Sequence, residues 1–387
     1  MRHQHALAAL ILGTLVAGVA VGPARAEPYL MVRAGAKCND CHTNLTGGGK
    51  RTPFAHIHAR DILHDLDLLP VPATVKGFTG QLHEYVSIGG DLRVRNTTIF
   101  QDEFSRKKGN VPRNRAFRRS VTSNDTEINE FLGYTQIDLL PDYVTLYGDW
   151  NLDGGVTNRE GFGLIRGFLP YDTYVKAGRF FPTFGLRVQD DQAFVRGRTG
   201  FTFTNPDEGG EIGFAPGPFF VATSITNGPS GDKDVQATVN GYGVFQDIPV
   251  VQTILAGASF ARQTDKRWAA AWYAGSNIWR FTYLAEFDLI DDRTVASAAK
   301  RDQYAAYAEV NFLAFDWLNL RGTFDFVKVS HDRDQTRYGI GAEPFINRFI
   351  QPRIQYRINN GPPVAGRDPS ELVDNQAELF FELHLFF

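Results

Sequence analysis

From about residue 84 onward, apolar and polar positions alternate with the period of a strand whose two faces meet different surroundings. In the stretch 281–290, Phe281, Tyr283, Ala285, Phe287 and Leu289 share one face, and Thr282, Glu286 and Asp288 the other. Leu318, Leu320, Gly322, Phe324 and Phe326 stand against Asn319, Arg321, Thr323 and Asp325. Phe131, Gly133, Thr135, Ile137 and Leu139 stand against Tyr134, Gln136 and Asp138. A soluble sandwich alternates too, with its apolar face inward. A transmembrane barrel turns that face to lipid and keeps charge in its lumen.

Four features select the barrel. The alternating runs are about ten residues or longer, the length a tilted strand needs to cross a bilayer. Aromatic residues gather at their ends, as an interfacial girdle requires (Tyr143, Trp150, Trp268, Trp272, Trp279, Trp317). Connections alternate between short and long. Short ones are expected at 140–142, 169–171, 215–217, 247–249, 275–277, 314–316 and 344–346, and longer polar ones include 99–126, 152–161, 181–208, 291–301 and 359–375. The last run alternates through Leu379, Phe381, Leu383 and Leu385 to Phe387, resembling the insertion signal of bacterial outer-membrane proteins. The expected fold is all-β, an outer-membrane barrel of about sixteen antiparallel strands at 83–387, with both ends on the short-turn side. Arg93, Arg95, Glu286, Asp288, Glu309, Arg321 and Asp325 are expected on the lumen wall as hydrated pore lining. The loop 181–208 folds inward as a constriction or cover, or lies on the surface; the basic segment 105–120 reads as a solvated external loop.

Residues 27–82 break the alternation and form a small helical domain and linker. Cys38-Asn39-Asp40-Cys41-His42 is the attachment pattern of a c-type haem. Its two thiols reach two vinyl groups of one porphyrin, and His42 becomes the proximal iron ligand. Gly47, Gly48 and Gly49 follow, as a hinge or as backbone that comes close to a flat cofactor edge. A helix is expected from Pro53, with Phe54, Ile57, Leu63 and Leu66 on one face, ending at Pro70 and Pro72. Met31 is the single methionine after residue 26, and His56, His58 and His64 lie on that helix, so these four are the distal-ligand candidates. Zinc held by the two thiolates with His56 or His58 is the competing account, but the immediate His after the second cysteine favours haem. So small a core needs its cofactor and a larger body to dock against.

Residues 1–26 read as a signal peptide, with Arg2 at the start, an apolar core from Ala6 to Gly22 and Ala24-Arg25-Ala26 as the cleavage site. The 40 basic and 43 acidic side chains give a net charge of −3, which argues against a nucleic-acid partner. The chain's 2 cysteines both belong to the haem motif, so no disulfide framework is expected.

A signal peptide, one CxxCH and a terminal-Phe barrel together resemble the fused outer-membrane monohaem cytochrome–porins of iron-oxidising bacteria. The specific part of the likeness is EPYLMVRAGAKCNDCHTNLTGGGKRTPF, similar to exported proteins with a YLxVRxGxKCxxCHxNxTGGGxR pattern. The resemblance implies one covalent haem c at Cys38 and Cys41, iron ligation by His42, and residence in the outer membrane, with the haem domain on the periplasmic side or in the barrel lumen. It also implies electron transfer between an extracellular donor such as Fe(II) and periplasmic electron carriers, by a carrier rather than a substrate-transforming enzyme. The alternative is a solute porin with a periplasmic haem domain as gate, sensor or docking site.

Overall fold

The computed structural model describes residues 27–56, 72, 77–102, 119–188, 190, 192–228, 234–264, 266–294, 302–329, 334–361 and 376–387. The signal-peptide stretch, His58, His64, most of the expected helix and nearly all of the basic segment lie outside them.

After a short strand β1 (Gln81–His83), the wall begins with β2 (Val86–Asp102), β3 (Arg119–Leu140), β4 (Val144–Asn151), β5 (Thr157–Arg166) and β6 (Tyr174–Phe180). It continues through β7 (Asp207–Phe214), β8 (Phe219–Thr226), β9 (Gln236–Gln246), β10 (Thr253–Gln263), β11 (Arg267–Ile278) and β12 (Phe281–Asp292). The last quarter is β13 (Asp302–Phe315), β14 (Leu318–Val329), β15 (Gln335–Pro344), β16 (Ile350–Asn360) and β17 (Gln376–Phe386). Each strand from β2 pairs antiparallel with the next, and β17 returns to β2 (Leu383↔Val94), closing a sixteen-stranded barrel. Its fold is that of the outer-membrane barrels, as expected.

Burial follows the alternation with the sense a barrel demands. On β12, Thr282, Glu286 and Asp288 are buried while Tyr283, Ala285 and Phe287 are exposed; Asp288 is 0% accessible and Phe287 43%. The apolar face is therefore the outer one, the reverse of a sandwich.

Several boundaries differ from the sequence reading. Strands β11 and β12 are joined at Trp279-Arg280 rather than at 275–277, because β11 continues in register to Ile278 and the tight turn falls at Trp279, φ 53°. The connection expected at 99–126 is shorter, since β2 and β3 extend beyond the outer pair Gln101↔Ser120. Trp272 lies in the middle of β11 on the lipid face, 51% exposed, not in a girdle, whereas Tyr143, Trp279 and Trp317 do lie at short turns.

The lumen is filled. Residues 27–56 touch inward positions around much of the ring. The Glu27 carboxylate pairs with Arg353 of β16 (2.7 Å), and the Tyr29 hydroxyl donates to Glu343 of β15 (3.5 Å). Arg33 donates to Thr282 of β12 (3.4 Å), and Asn44 to Glu160 of β5 (2.8 Å). Thr43 bonds Gln136 of β3 (2.8 Å), and the Tyr147 hydroxyl of β4 accepts from the Lys50 amide (3.0 Å). At the short-turn end the Lys37 ammonium caps the carbonyls of Ala215 and Gly217 (3.4 and 3.0 Å). The segment between β6 and β7 also turns inward. Its amides at Gly185 and Leu186 donate to Ser259 and Glu286 (2.9 and 2.7 Å), and that of Phe194, in a short helix (Phe194–Thr199), to Asp325 (3.1 Å).

Of the expected lumen charges, Arg93, Arg95, Glu309, Arg321 and Asp325 are thus paired in a packed network rather than hydrated pore lining. Arg95 pairs with Glu382, Arg321 with Glu309 and Glu343, and Arg337 with Asp325. Asp190, from the inward segment, sits between Arg337 and Arg357 (3.5 and 2.6 Å). Buried charges persist only where partners of this kind replace water.

Candidate functional site

The N-terminal segment and the inward segment meet at a cavity inside the barrel. The helix α1 (Pro28–Ala34) carries Met31 to its edge and ends at Gly35 in the left-handed region, φ 66°. The one-turn helix α2 (Cys38–Cys41) follows, the Lys37 amide just before it donating to the Asp40 carboxylate (2.8 Å). Cysteines three apart on a helix turn share a face. Cys38 lines the cavity, its amide donating to the Tyr242 hydroxyl (3.1 Å), and His42 lines it as well. Cys41 lies one turn further, fully buried in a cluster with Ala36 and Ala55. Both cysteines are free thiols, and burial pushes the Cys38 thiol above its ordinary pKa.

The glycine run is a cradle rather than a simple hinge. Gly47, Gly48 and Gly49 have φ of 94°, 82° and 67° and all line the cavity. A Cβ on Gly49 would run into the Tyr147 hydroxyl, so the backbone here approaches its neighbours more closely than any side chain allows. Arg187 clamps the run from above, donating to the carbonyls of Gly47 and Phe181 (2.5 and 2.6 Å). Phe181, Phe203, Phe220, Tyr134, Tyr242 and Tyr273 supply apolar and aromatic wall.

Of the distal candidates, Met31 reaches the cavity, its sulfur 3.7 Å from the Cys38 sulfur. His56 is buried behind it, 4% exposed, and does not line the cavity; its Nε2 makes no hydrogen bond among the described residues. Burial, followed by the charges of Arg51, Arg348, Lys50 and His42, lowers its pKa to about 3. His384 of β17 does line the cavity, but its ring nitrogens face Asp91 (3.0 Å) and Gln351 (3.3 Å). Among the described residues no group of three or more His, Cys, Asp or Glu converges as a metal cage. A zinc site needs such convergence, whereas thioether tethering needs only donors spread around a ring. Tyr242, Arg187 and the aromatic wall carried no motif in the sequence; only the strand period marked Tyr242 as inward.

Lys50, 1% exposed, closes the glycine run, and burial lowers its ammonium pKa from the ordinary 10.5 to about 8. Between those values the unfolded segment binds more protons than the folded one, so stability rises as pH climbs from 8 to 10.5. The expected gain is on the order of 3 kcal/mol. Hydrogen exchange of residues 43–52 against pH reads it, and Lys50→Met should abolish the slope.

No family model and no curated protein matches the chain. Solved outer-membrane proteins do match in fold. In-vitro folded OmpT of Vibrio cholerae is 10% identical, with 79% of this chain and 99% of that chain covered and a TM-score of 0.55. OprB of Pseudomonas putida in its high-pH structure is 10% identical over 79% and 94%, TM-score 0.55. The outer-membrane channel DcaP of Acinetobacter baumannii is 9% identical over 78% and 97%, TM-score 0.51. At this identity the likeness establishes the fold, a porin-like outer-membrane barrel.

Proposed function

We propose that the protein carries electrons across the outer membrane through one c-type haem tethered in the lumen at Cys38 and Cys41, with His42 as proximal ligand. The observation that carries this reading is that Cys38 and His42 of the chain's CxxCH border a cavity inside a plugged barrel, with Cys41 buried one turn away. The residues present suit such a group. Cys38, His42 and Met31 border one space, the glycine cradle admits a flat edge, and aromatic side chains exclude water from it. Bound there, a haem would supply one-electron Fe(III)/Fe(II) chemistry without bond making to substrate.

The chain's own residues do the rest. The barrel wall and the surrounding lipid insulate, so only a centre within the lumen shortens the gap between the two sides. Residues 27–56 fix its depth by bonds to strands around the ring, and Arg187 binds the glycine cradle to the inward segment. The same packing argues against the alternative of an open solute porin with its haem domain hanging in the periplasm. An extracellular reductant such as Fe(II) and periplasmic carriers are the proposed electron partners.

The test is protein in liposomes, with a membrane-impermeant reductant outside and a trapped acceptor inside. Electron transfer is expected from the matured parent, and His42→Ala should abolish it while leaving the barrel inserted. Transfer that survives His42→Ala, or colourless parent protein from a host competent in cytochrome maturation, rules the reading out.

A further inference from the structure

We propose that Arg51 is the carboxylate anchor of the cavity, the side chain that receives a propionate of the porphyrin. This deepens the reading above and rests on it. The wall of the cavity carries four arginines, Arg51, Arg93, Arg159 and Arg187. Arg93 is held by Asp91 and Glu130 (3.0 and 3.1 Å). Arg159 faces Asp149 and donates to the Phe203 carbonyl (3.2 Å), and Arg187 spends its fork on two backbone carbonyls. Arg51 differs. Among the described residues its guanidinium has no hydrogen bond and no ion pair, and it rests on the Phe386 ring, whose centre is 3.9 Å from the guanidinium carbon.

The nearest carboxylates are already engaged: Glu27 with Arg353, Asp91 with Arg93 and His384. Arg51 is part-buried, and a planar fork that lies over an aromatic ring and makes no hydrogen bond among the described residues is preorganised for a bidentate carboxylate. Its place is fixed relative to the haem motif, because the backbones of His42 and Arg51 form an antiparallel bridge. The anion it awaits therefore lies on the group that His42 ligates. Arg51 is a positioning residue: it orients the ring and balances a negative charge at its edge.

Parent, Arg51→Gln and Arg51→Lys proteins, matured together, are compared by haem stoichiometry and by redox titration followed in the visible spectrum. With its counter-cation removed, the propionate favours the ferric state. Arg51→Gln should shift the Fe(III)/Fe(II) equilibrium about tenfold toward Fe(III), a potential lower by about 59 mV for one electron. Arg51→Lys, which keeps the charge, should stay near the parent. If Arg51→Gln fails to retain haem, retention by Arg51→Lys still supports the anchor, and loss in both overturns it. Equal potentials in parent and Arg51→Gln overturn the anchor while leaving the haem assignment standing. A parent without haem overturns the assignment itself.

Discussion

Liposomes carrying a chain that lacks residues 28–56 should swell in small sugars well above the rate of those carrying the full chain, which stay near the rate of empty lipid. Barrels of this strand number leave an aqueous channel unless something fills them. Here much of the filling is the N-terminal segment, whose residues 28–56 are tied to Glu160, Tyr147, Glu343 and Thr282, beside the inward segment between β6 and β7. The wall needs none of these bonds to close, since β2 to β17 pair only with one another and with β1. Removal should therefore open a path beside the inward segment without unfolding the sheet. Equal swelling by both chains would show that solutes pass the plug, and would return the solute-porin account to favour.

Arg357→Ala should cost about 3–5 kcal/mol, the usual penalty for breaking a buried pair from one side. Arg357 is almost inaccessible and holds Asp190 (2.6 Å), Glu378 (2.9 Å) and the Gln192 side chain (2.9 Å). Its loss strands Glu378, leaves Asp190 to Arg337 alone, and loosens the inward segment from the wall. Denaturant unfolding gives the stability, and protease cleavage within 181–206 reports the release. Arg357→Met combined with Glu378→Leu should recover part of the loss, because a neutral pair of similar volume avoids the stranded charge. A single mutant within about 0.5 kcal/mol of the parent, the range of an ordinary surface change, would refute this role.

The barrel was legible because lipid outside and polar lumen inside impose a strict period of two, as in Tyr283, Phe287, Leu320 and Phe381 against Glu286, Asp325 and Glu382. Cys38 and His42 were legible because chemistry fixes their spacing. The turn at Trp279-Arg280 was not, since Gly275, Ser276 and Asn277 are ordinary turn formers and only cross-strand register keeps them in β11. Nor was the inward course of 181–206, which depends on Ser259, Glu286, Asp325, Arg337 and Arg357 far away in sequence. A small domain in the lumen was among the expectations, but which wall charges it would cover was not legible: an alternating strand reads identically whether its polar face meets water or another segment. The choice of Met31 over His56 at the cavity was equally hidden, being set by how the N-terminal segment packs.

The seam between β2 and β17 sets a condition on biogenesis. It is the one junction of the barrel that joins strands far apart in sequence, pairing Asp91–Gln101 with Gln376–Phe386. Contacts of such separation form late. Until they form, the sheet has two unsatisfied edges that invite association with other chains. The final strand must therefore reach the membrane in escorted form, and the segment that will occupy the interior is synthesised long before the cylinder around it can seal.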